Sequence, residues 1–338
     1  MCFLSRKDVK LVSTGTEAMM PYSETAAETA MRKTTPISIW GKIVHGKSFY
    51  CKSDAWVAML FLAPALLGFI VFYFIPIVRG LYMSFTDWNL LEEARWIGFD
   101  NYIRLLSDTT FLNAIKVTII YVLVNISTQT ILGLGIAFLM QKISQSTLIR
   151  SVLLLPWLVP NVTIAAITLF VLDPTVGLLN HLIGFIGAGP ISFYGNPDIA
   201  IYTVALVNSW RNMGYTGLLL FAGMQTIPNM IYEAAETEGA SSWQTFYHVT
   251  LPLLRPILVM VIVVSMIGSF QIFDTVSVAT SGGPGNSTRV IYLYIYEKAF
   301  EQFDMGYASA MAVVLMLALV VVTIIQLRLA RSNESDMN

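Results

Sequence analysis

The stretch Glu233-Ala234-Ala235-Glu236-Thr237-Glu238-Gly239-Ala240, running on to Leu251-Pro252, lies between two long apolar segments and is the longest polar interruption in the C-terminal half. Pro228 suits the first turn of a helix, where its missing N–H would find no partner anyway. Ile231, Ala234 and Ala235 then share a face, because residues three and four apart lie on one side. Gly239 can end that helix at φ > 0, and Ser241 or Ser242 can cap a second short one. Pro252 and Pro256 are expected to stop the second helix and start the next apolar one. The pattern predicts a helix–glycine–helix plug with a narrow alanine face, shaped to enter a groove on another protein.

The flanking segments set the fold class. The 338 residues are 56% hydrophobic and 12% charged, against about 25% charged in a soluble domain. With a mean hydropathy of +0.67, this is the composition of a membrane protein. Six segments reach the roughly 20 apolar residues a bilayer-spanning helix needs: about 56–78, 117–140, 152–172, 199–223, 257–277 and 308–327. The expected fold is all-α, an integral membrane bundle of six transmembrane helices. Pro64, Pro156 and Pro160 fall inside spans, which is tolerated where neighbours satisfy the freed carbonyls. Gly133, Gly135 and Ala137 let helices approach closely.

Residues 1–52 read as a polar tail with eight Lys or Arg and no apolar core of a secretory signal; Met31 is an alternative start. Gly41-Lys42-Ile43-Val44-His45-Gly46-Lys47-Ser48 fits the P-loop pattern letter for letter. Such a loop cradles phosphate only between a strand and a helix of a βαβ unit. The next apolar segment begins eight residues later, and nothing downstream alternates strand and helix, so no nucleotide site is expected. The remaining organisation is 53–113, a first span and loop; 114–329, a core; and 330–338, a tail. With the N-terminus inside, thirteen Lys or Arg fall on the cytoplasmic side, more than twice as many as outside. Both termini and the Glu233 stretch are therefore expected in the cytoplasm.

The net charge of −1 argues against nucleic-acid binding, which wants a basic stripe. Cys2 and Cys51 make neither a disulfide framework nor a metal site. His45, His181 and His248 lie in separate segments without a triad or HExxH, so the chain is not expected to be an enzyme. The fourth span carries chemistry of another kind: Asn208, Arg211, Asn212 and Tyr215 fall at i, i+3, i+4 and i+7 on one helical face. Arg211 sits roughly 18 Å from the inner end at 1.5 Å per residue. A charge at that depth costs at least about 2.5 kcal/mol against lipid, so the stripe should face protein or water. The fifth span offers Ser269, Gln271 and Asp274, with Gln271 level with Asn208. Two readings are open, a polar translocation path or interhelical glue. Opposite charges on adjacent helices also suggest an Arg211–Asp274 pair.

Glu233-Ala234-Ala235, then Glu238-Gly239-Ala240 and, about ten residues on, Leu251-Pro252 resemble the coupling loop of binding-protein-dependent ABC importer permeases, spanning 228–256 here. Further fragments resemble the carbohydrate branch of that family. They are Tyr82-Met83-Ser84-Phe85-Thr86-Asp87-Trp88, Trp96-Ile97-Gly98-Phe99-Asp100-Asn101-Tyr102, Gly177-Leu178-Leu179-Asn180, Ser281-Gly282-Gly283-Pro284-Gly285 with Thr288, and Phe303 with Gly306-Tyr307-Ala308-Ser309-Ala310. The likeness covers roughly 55–330. It implies the type I ABC importer permease fold in a bacterial cytoplasmic membrane, moving a sugar by alternating access. It also implies two ABC ATPase subunits that bind the ATP and Mg, a sister permease in a heterodimer, and an extracytoplasmic sugar-binding protein.

The resemblance implies that Glu233, Ala234, Ala235, Glu238, Gly239, Ala240, Leu251 and Pro252 meet the ATPase, with Leu251 and Pro252 fixing an exit angle. It implies that Asn208, Tyr215 and Ser269 line the cargo path, where Tyr215, Trp210 and Phe270 could stack on a pyranose. Arg211 would tolerate an anionic cargo group. A secondary transporter or channel for a polar solute is the alternative.

Overall fold

The computed structural model describes residues 52–142, 146–187 and 189–332. The P-loop-like stretch, both cysteines and most of both tails lie outside them. The chain divides into two units, 1–68 and 69–338. Of the first, the described part is residues 52–68 of the apolar helix α1 (Lys52–Phe69), which contains Pro64.

The second unit is helical throughout its regular structure. A π-helical turn (Ile70–Phe74) leads into α2 (Ile75–Met83), followed by α3 (Asp100–Ser107) and the 34-residue α4 (Thr109–Lys142). The helices α5 (Thr147–Leu158), α6 (Asn161–Val171), α7 (Leu178–Phe185) and α8 (Ala200–Met224) come next. The C-terminal part holds α9 (Asn229–Thr237), α10 (Ser242–Thr245), α11 (Leu251–Phe270), α12 (Asp274–Ala279), α13 (Ile291–Tyr296) and α14 (Met305–Ser332).

Among the described residues, four helices are long and apolar enough to cross a membrane: Met59–Met83, Thr109–Lys142, Ser242–Phe270 and Met305–Arg328. The third expected span is instead two helices, α5 and α6, bent by 91°. Pro160 has no N–H to continue the ladder, and the residue before a proline is pushed out of the α region. Val159 accordingly takes φ −77, ψ 135. The fifth expected span is also interrupted: α11 ends at Phe270, and α12 begins only at Asp274. The fourth, α8, has the length to cross, but its polar stripe keeps it below the same measure of apolarity.

α4 is the axle of the bundle. Its buried residues Phe111, Ala114, Thr118, Tyr121, Asn125, Gln129, Gly133, Ala137 and Met140 recur every three or four positions, which makes one continuous stripe. The stripe joins three apolar clusters. One unites Leu105 and Phe111 with Tyr307 and Met311, one unites Tyr121 with Val204 and Val276, and one unites Met140 with Leu220, Phe246 and Leu254. At the α4–α8 crossing, a Cβ on Gly133 would lie 2.6 Å from Thr216 Cγ2, and one on Gly217 would lie 2.7 Å from Ile136 Cγ2. Gly133 thus does what the sequence suggests. Gly135 does not, because its Cβ position has nothing within 4 Å.

The end of the bundle formed by Met83, Thr109 and Met305 is held by polar fasteners. Asp108 Oδ1 accepts the N–H groups of Thr110 and Phe111 and so caps α4, while Oδ2 accepts the hydroxyls of Tyr294 and Tyr307 at 2.7 Å each. Burial would raise its pKa, but these donors outweigh it and hold the carboxyl below the ordinary value. A depressed carboxyl stabilises the fold above its unfolded pKa of about 3.9, and that contribution is lost as pH falls through the folded value. Asp108→Asn should therefore cost about 1 kcal/mol at neutral pH after solvent screening. The difference in thermal midpoint from the parent should shrink below about pH 4; a gap that is constant with pH would refute this.

Candidate functional site

α9 and α10 form the predicted plug. Pro228 is the N-cap of α9 rather than its first helical residue. Gly239 has φ +79. Its N–H donates to Glu236 O and that of Ala240 to Ala235 O, both at 3.0 Å. This pair of bonds is the Schellman ending, and it answers carbonyls that the helix end leaves open. Ser241 and Gln244 then close a reciprocal capping box on α10. Glu233, Ala234, Glu238 and Gly239 are exposed, and Ala235 and Ala240 are half-buried.

The plug is tied to α4. Phe138 stacks on Trp243 at 5.5 Å and meets Phe246 edge-on at 5.1 Å, and Lys142 Nζ bonds Ser242 Oγ. Pro252 and Pro256 do not make the expected break. A π-helical turn, Phe246–Thr250, carries α10 into α11 as one helix, Ser242–Phe270. The wider turn admits Pro252 at the start of α11 and leaves Pro256 within it. The α10 half of the plug is therefore continuous with a membrane span, and α9 joins it through the Gly239 turn.

That span ends at a cavity of about 660 Å³, bounded by α4, α8, α11 and the bends after α5 and α11. All seven residues singled out from the sequence border it: Asn208, Arg211, Asn212, Tyr215, Ser269, Gln271 and Asp274. Their roles divide. Asn208 and Ser269 are 4% exposed and bonded within the bundle. Thr275 Oγ1 donates to Asn208 Oδ1 at 3.4 Å, and Asn125 Nδ2 donates to Ser269 Oγ at 2.9 Å. These two are glue. Arg211, Asn212, Tyr215 and Asp274 are half-buried and Gln271 is exposed, so these five face the open space.

The Arg211–Asp274 pair is not formed. Asp274 Oδ2 accepts Asn161 Nδ2 at 3.0 Å. The Arg211 guanidinium donates to Val159 O through Nε and Nη2, at 3.2 and 3.0 Å, and to Trp157 O at 3.0 Å. It thereby occupies the carbonyls left open where α5 stops at the proline, a place that also favours a cation. Trp157 stacks on Tyr215 at 4.7 Å with 7° between the rings. Trp210 borders a different, apolar cavity, and Phe270 does not border the polar one, so of the three rings expected there only Tyr215 lines it, stacked on Trp157.

Five polar residues of the inner network were not read from the sequence. Ser209 Oγ donates to Asn125 Oδ1 at 3.1 Å; Gln129 Nε2 donates to Thr216 Oγ1 at 2.8 Å and to Ser265 Oγ at 3.2 Å. Asn125 and Gln129 stand at i, i+4 inside an apolar run, the same signal that exposed the α8 stripe. The remaining matched fragments are loop fasteners. Asn101 Nδ2 donates to Ser84 O and Thr86 O, Asn180 brackets Asp173 O and Ile191, and Thr288 Oγ1 donates to Gly283 O.

The family described as "Binding-protein-dependent transport system inner membrane component" matches residues 129–334. The chain is 31% identical over 280 residues to the trehalose/maltose transport system permease protein MalF of Thermococcus litoralis, covering 82% of this chain and 95% of that protein. It is 33% identical over 286 residues to the sulfoquinovosyl glycerol transport system permease protein SmoG of Agrobacterium fabrum, covering 83% and 92%. A crystal structure of a bacterial ABC transporter involved in the import of the acidic polysaccharide alginate shares the fold, with a TM-score of 0.74 at 22% identity over 83% of this chain and 96% of that one.

Proposed function

Since the chain belongs to the family of inner membrane components of binding-protein-dependent transport systems, we propose that it is the permease subunit of an ATP-driven importer for a sugar or similar polyol. The observation that carries this reading is the continuity of Ser242–Phe270, which runs from the second helix of the plug to the polar cavity, while the exposed Ala/Gly face sits one tight turn before it. The plug seats in a groove on an ABC ATPase subunit, where Glu233 meets a basic group and Ala234, Ala235 and Gly239 allow close approach. Two such ATPases, binding the ATP and Mg, close together and swing the helix. ATP drives the change only through its different affinity for the two states. Both termini and the plug lie in the cytoplasm, and a sister permease completes the pathway.

The cargo arrives from an extracytoplasmic binding protein. Gln271 offers its amide to sugar hydroxyls, Asn212 offers the bonding capacity left beside its contacts with Asn208 O and Arg211, and Tyr215 offers the ring face not stacked on Trp157. The Arg211 guanidinium and the Asp274 carboxylate both border the cavity, each held by partners within the protein, so the lining carries both signs. A neutral polyol suits that lining. The family match removes support from the secondary-transporter or channel alternative.

The test is uptake by vesicles holding the complete complex and loaded binding protein. Accumulation should require ATP hydrolysis, and Asn212→Leu should reduce uptake at least about tenfold, the equivalent of about 1.4 kcal/mol of lost polar contact, with assembly intact. Uphill uptake without nucleotide hydrolysis would overturn the proposal.

A further inference from the structure

We propose that α3 is an interfacial anchor, lying in the headgroup region of the bilayer at the end of the bundle opposite the plug. That end is marked by three termini of apolar helices, Met83, Thr109 and Met305, and α3 runs between the first two. One of its faces is pinned. Asn101 Nδ2 donates to Ser84 O at 3.0 Å and to Thr86 O at 2.8 Å, and Tyr102 Oη lies 2.7 Å from Ser84 Oγ. Arg104 binds Asp304 at 2.8 Å, and Leu105 is 3% exposed in the core. The helix therefore cannot roll to hide its other face.

That other face is apolar and uncovered. Phe99, Ile103 and Leu106 are 67%, 64% and 79% exposed and stand at i, i+4 and i+7, a single stripe. Its occupant follows from what it adjoins. Phe99 meets Phe85 edge-on at 5.3 Å, Phe85 stacks on Trp96 at 5.3 Å, and Trp96 lies 5.7 Å from Tyr82. Tyr82 belongs to the candidate span Met59–Met83, whose Val78 and Leu81 are themselves exposed. The stripe on α3 is thus the continuation of a lipid-facing helix surface, carried round the corner by aromatic rings. Trp and Tyr gather at the level of lipid headgroups because one end of each ring is apolar and the other polar. A short amphipathic helix whose apolar side meets that level lies in the plane of the interface. This placement fixes how deep the bundle sits and holds the loop 84–108 against the membrane, whatever the cargo.

The test uses single nitroxide labels on the full chain, with Cys2 and Cys51 replaced by Ser. Phe99→Cys, Ile103→Cys and Leu106→Cys are all at exposed positions, so each variant should fold; Glu93→Cys, exposed in the preceding loop, is the aqueous reference. In vesicles of phosphatidylethanolamine and phosphatidylglycerol, collisions with oxygen should exceed those with a water-soluble nickel complex at 103 and 106, giving a ratio several-fold above that at 93. Nickel access equal to that at 93 would show the stripe in water. Exclusion of both reagents would show it covered by protein, including a sister permease. Either result overturns the proposal.

Discussion

Gly239→Val is expected to leave the chain folded in the membrane and to cut binding-protein-stimulated ATP hydrolysis and uptake by at least about tenfold. Gly239 sits at φ +79, a region costing an L residue about 1–2 kcal/mol and more if it is β-branched. No atom lies within 4 Å of the Cβ position, so the substitution meets no steric bar inside this chain. The strain falls on the Schellman turn between α9 and α10, and the added methyls point at whatever grips the plug. A penalty of about 1.4 kcal/mol in that grip is a factor of ten in the coupled complex. Yield in membranes and co-purification of the ATPase separate a folding defect from a coupling defect. Full stimulated hydrolysis in the variant would sink the lever reading.

Gly214→Val is expected to act on the fold itself. A Cβ at Gly214 would lie 1.9 Å from Leu153 O and 2.7 Å from its carbonyl carbon. The obstacle is main chain, which cannot rotate aside, so α5 and α8 must separate. Separation would pull Trp157 O and Val159 O from Arg211 and Trp157 from Tyr215. Overpacking a well-filled contact costs about 1–3 kcal/mol and occasionally more, and here stranded carbonyls add to it. Little monodisperse protein should be recovered in detergent, and its thermal midpoint should fall by several degrees. Gly135→Ala is the control: with nothing within 4 Å, it should be neutral or stabilise by up to about 1 kcal/mol through helix propensity. If both variants behave alike, the α5–α8 crossing is not a tight contact.

The division between glue and path shows where reading from residues alone stops. Asn208 and Asn212 are the same side chain, four positions apart on one helix. Asn208 accepts from Thr275 and is 4% exposed, whereas Asn212 faces the cavity. Arg211 and Asp274 border one cavity with opposite charges, yet each takes a nearer partner. For Arg211 that partner exists only because Pro160 ends α5 in the right place.

The sequence by itself determined the membrane class, the polar stripe on α8 and the plug with its glycine ending, because hydropathy, helical period and a turn needing φ > 0 are properties of neighbouring residues. Pro160 already marks the break in the third span, whereas tertiary structure alone decided that the fifth span is interrupted, that the helix runs on through Pro252 without a break, and that Arg211 holds carbonyls rather than Asp274. A hydrogen bond goes to whichever donor or acceptor lies within about 3 Å, and over separations such as the 52 residues between Val159 and Arg211 that distance is set by packing, which no local pattern encodes.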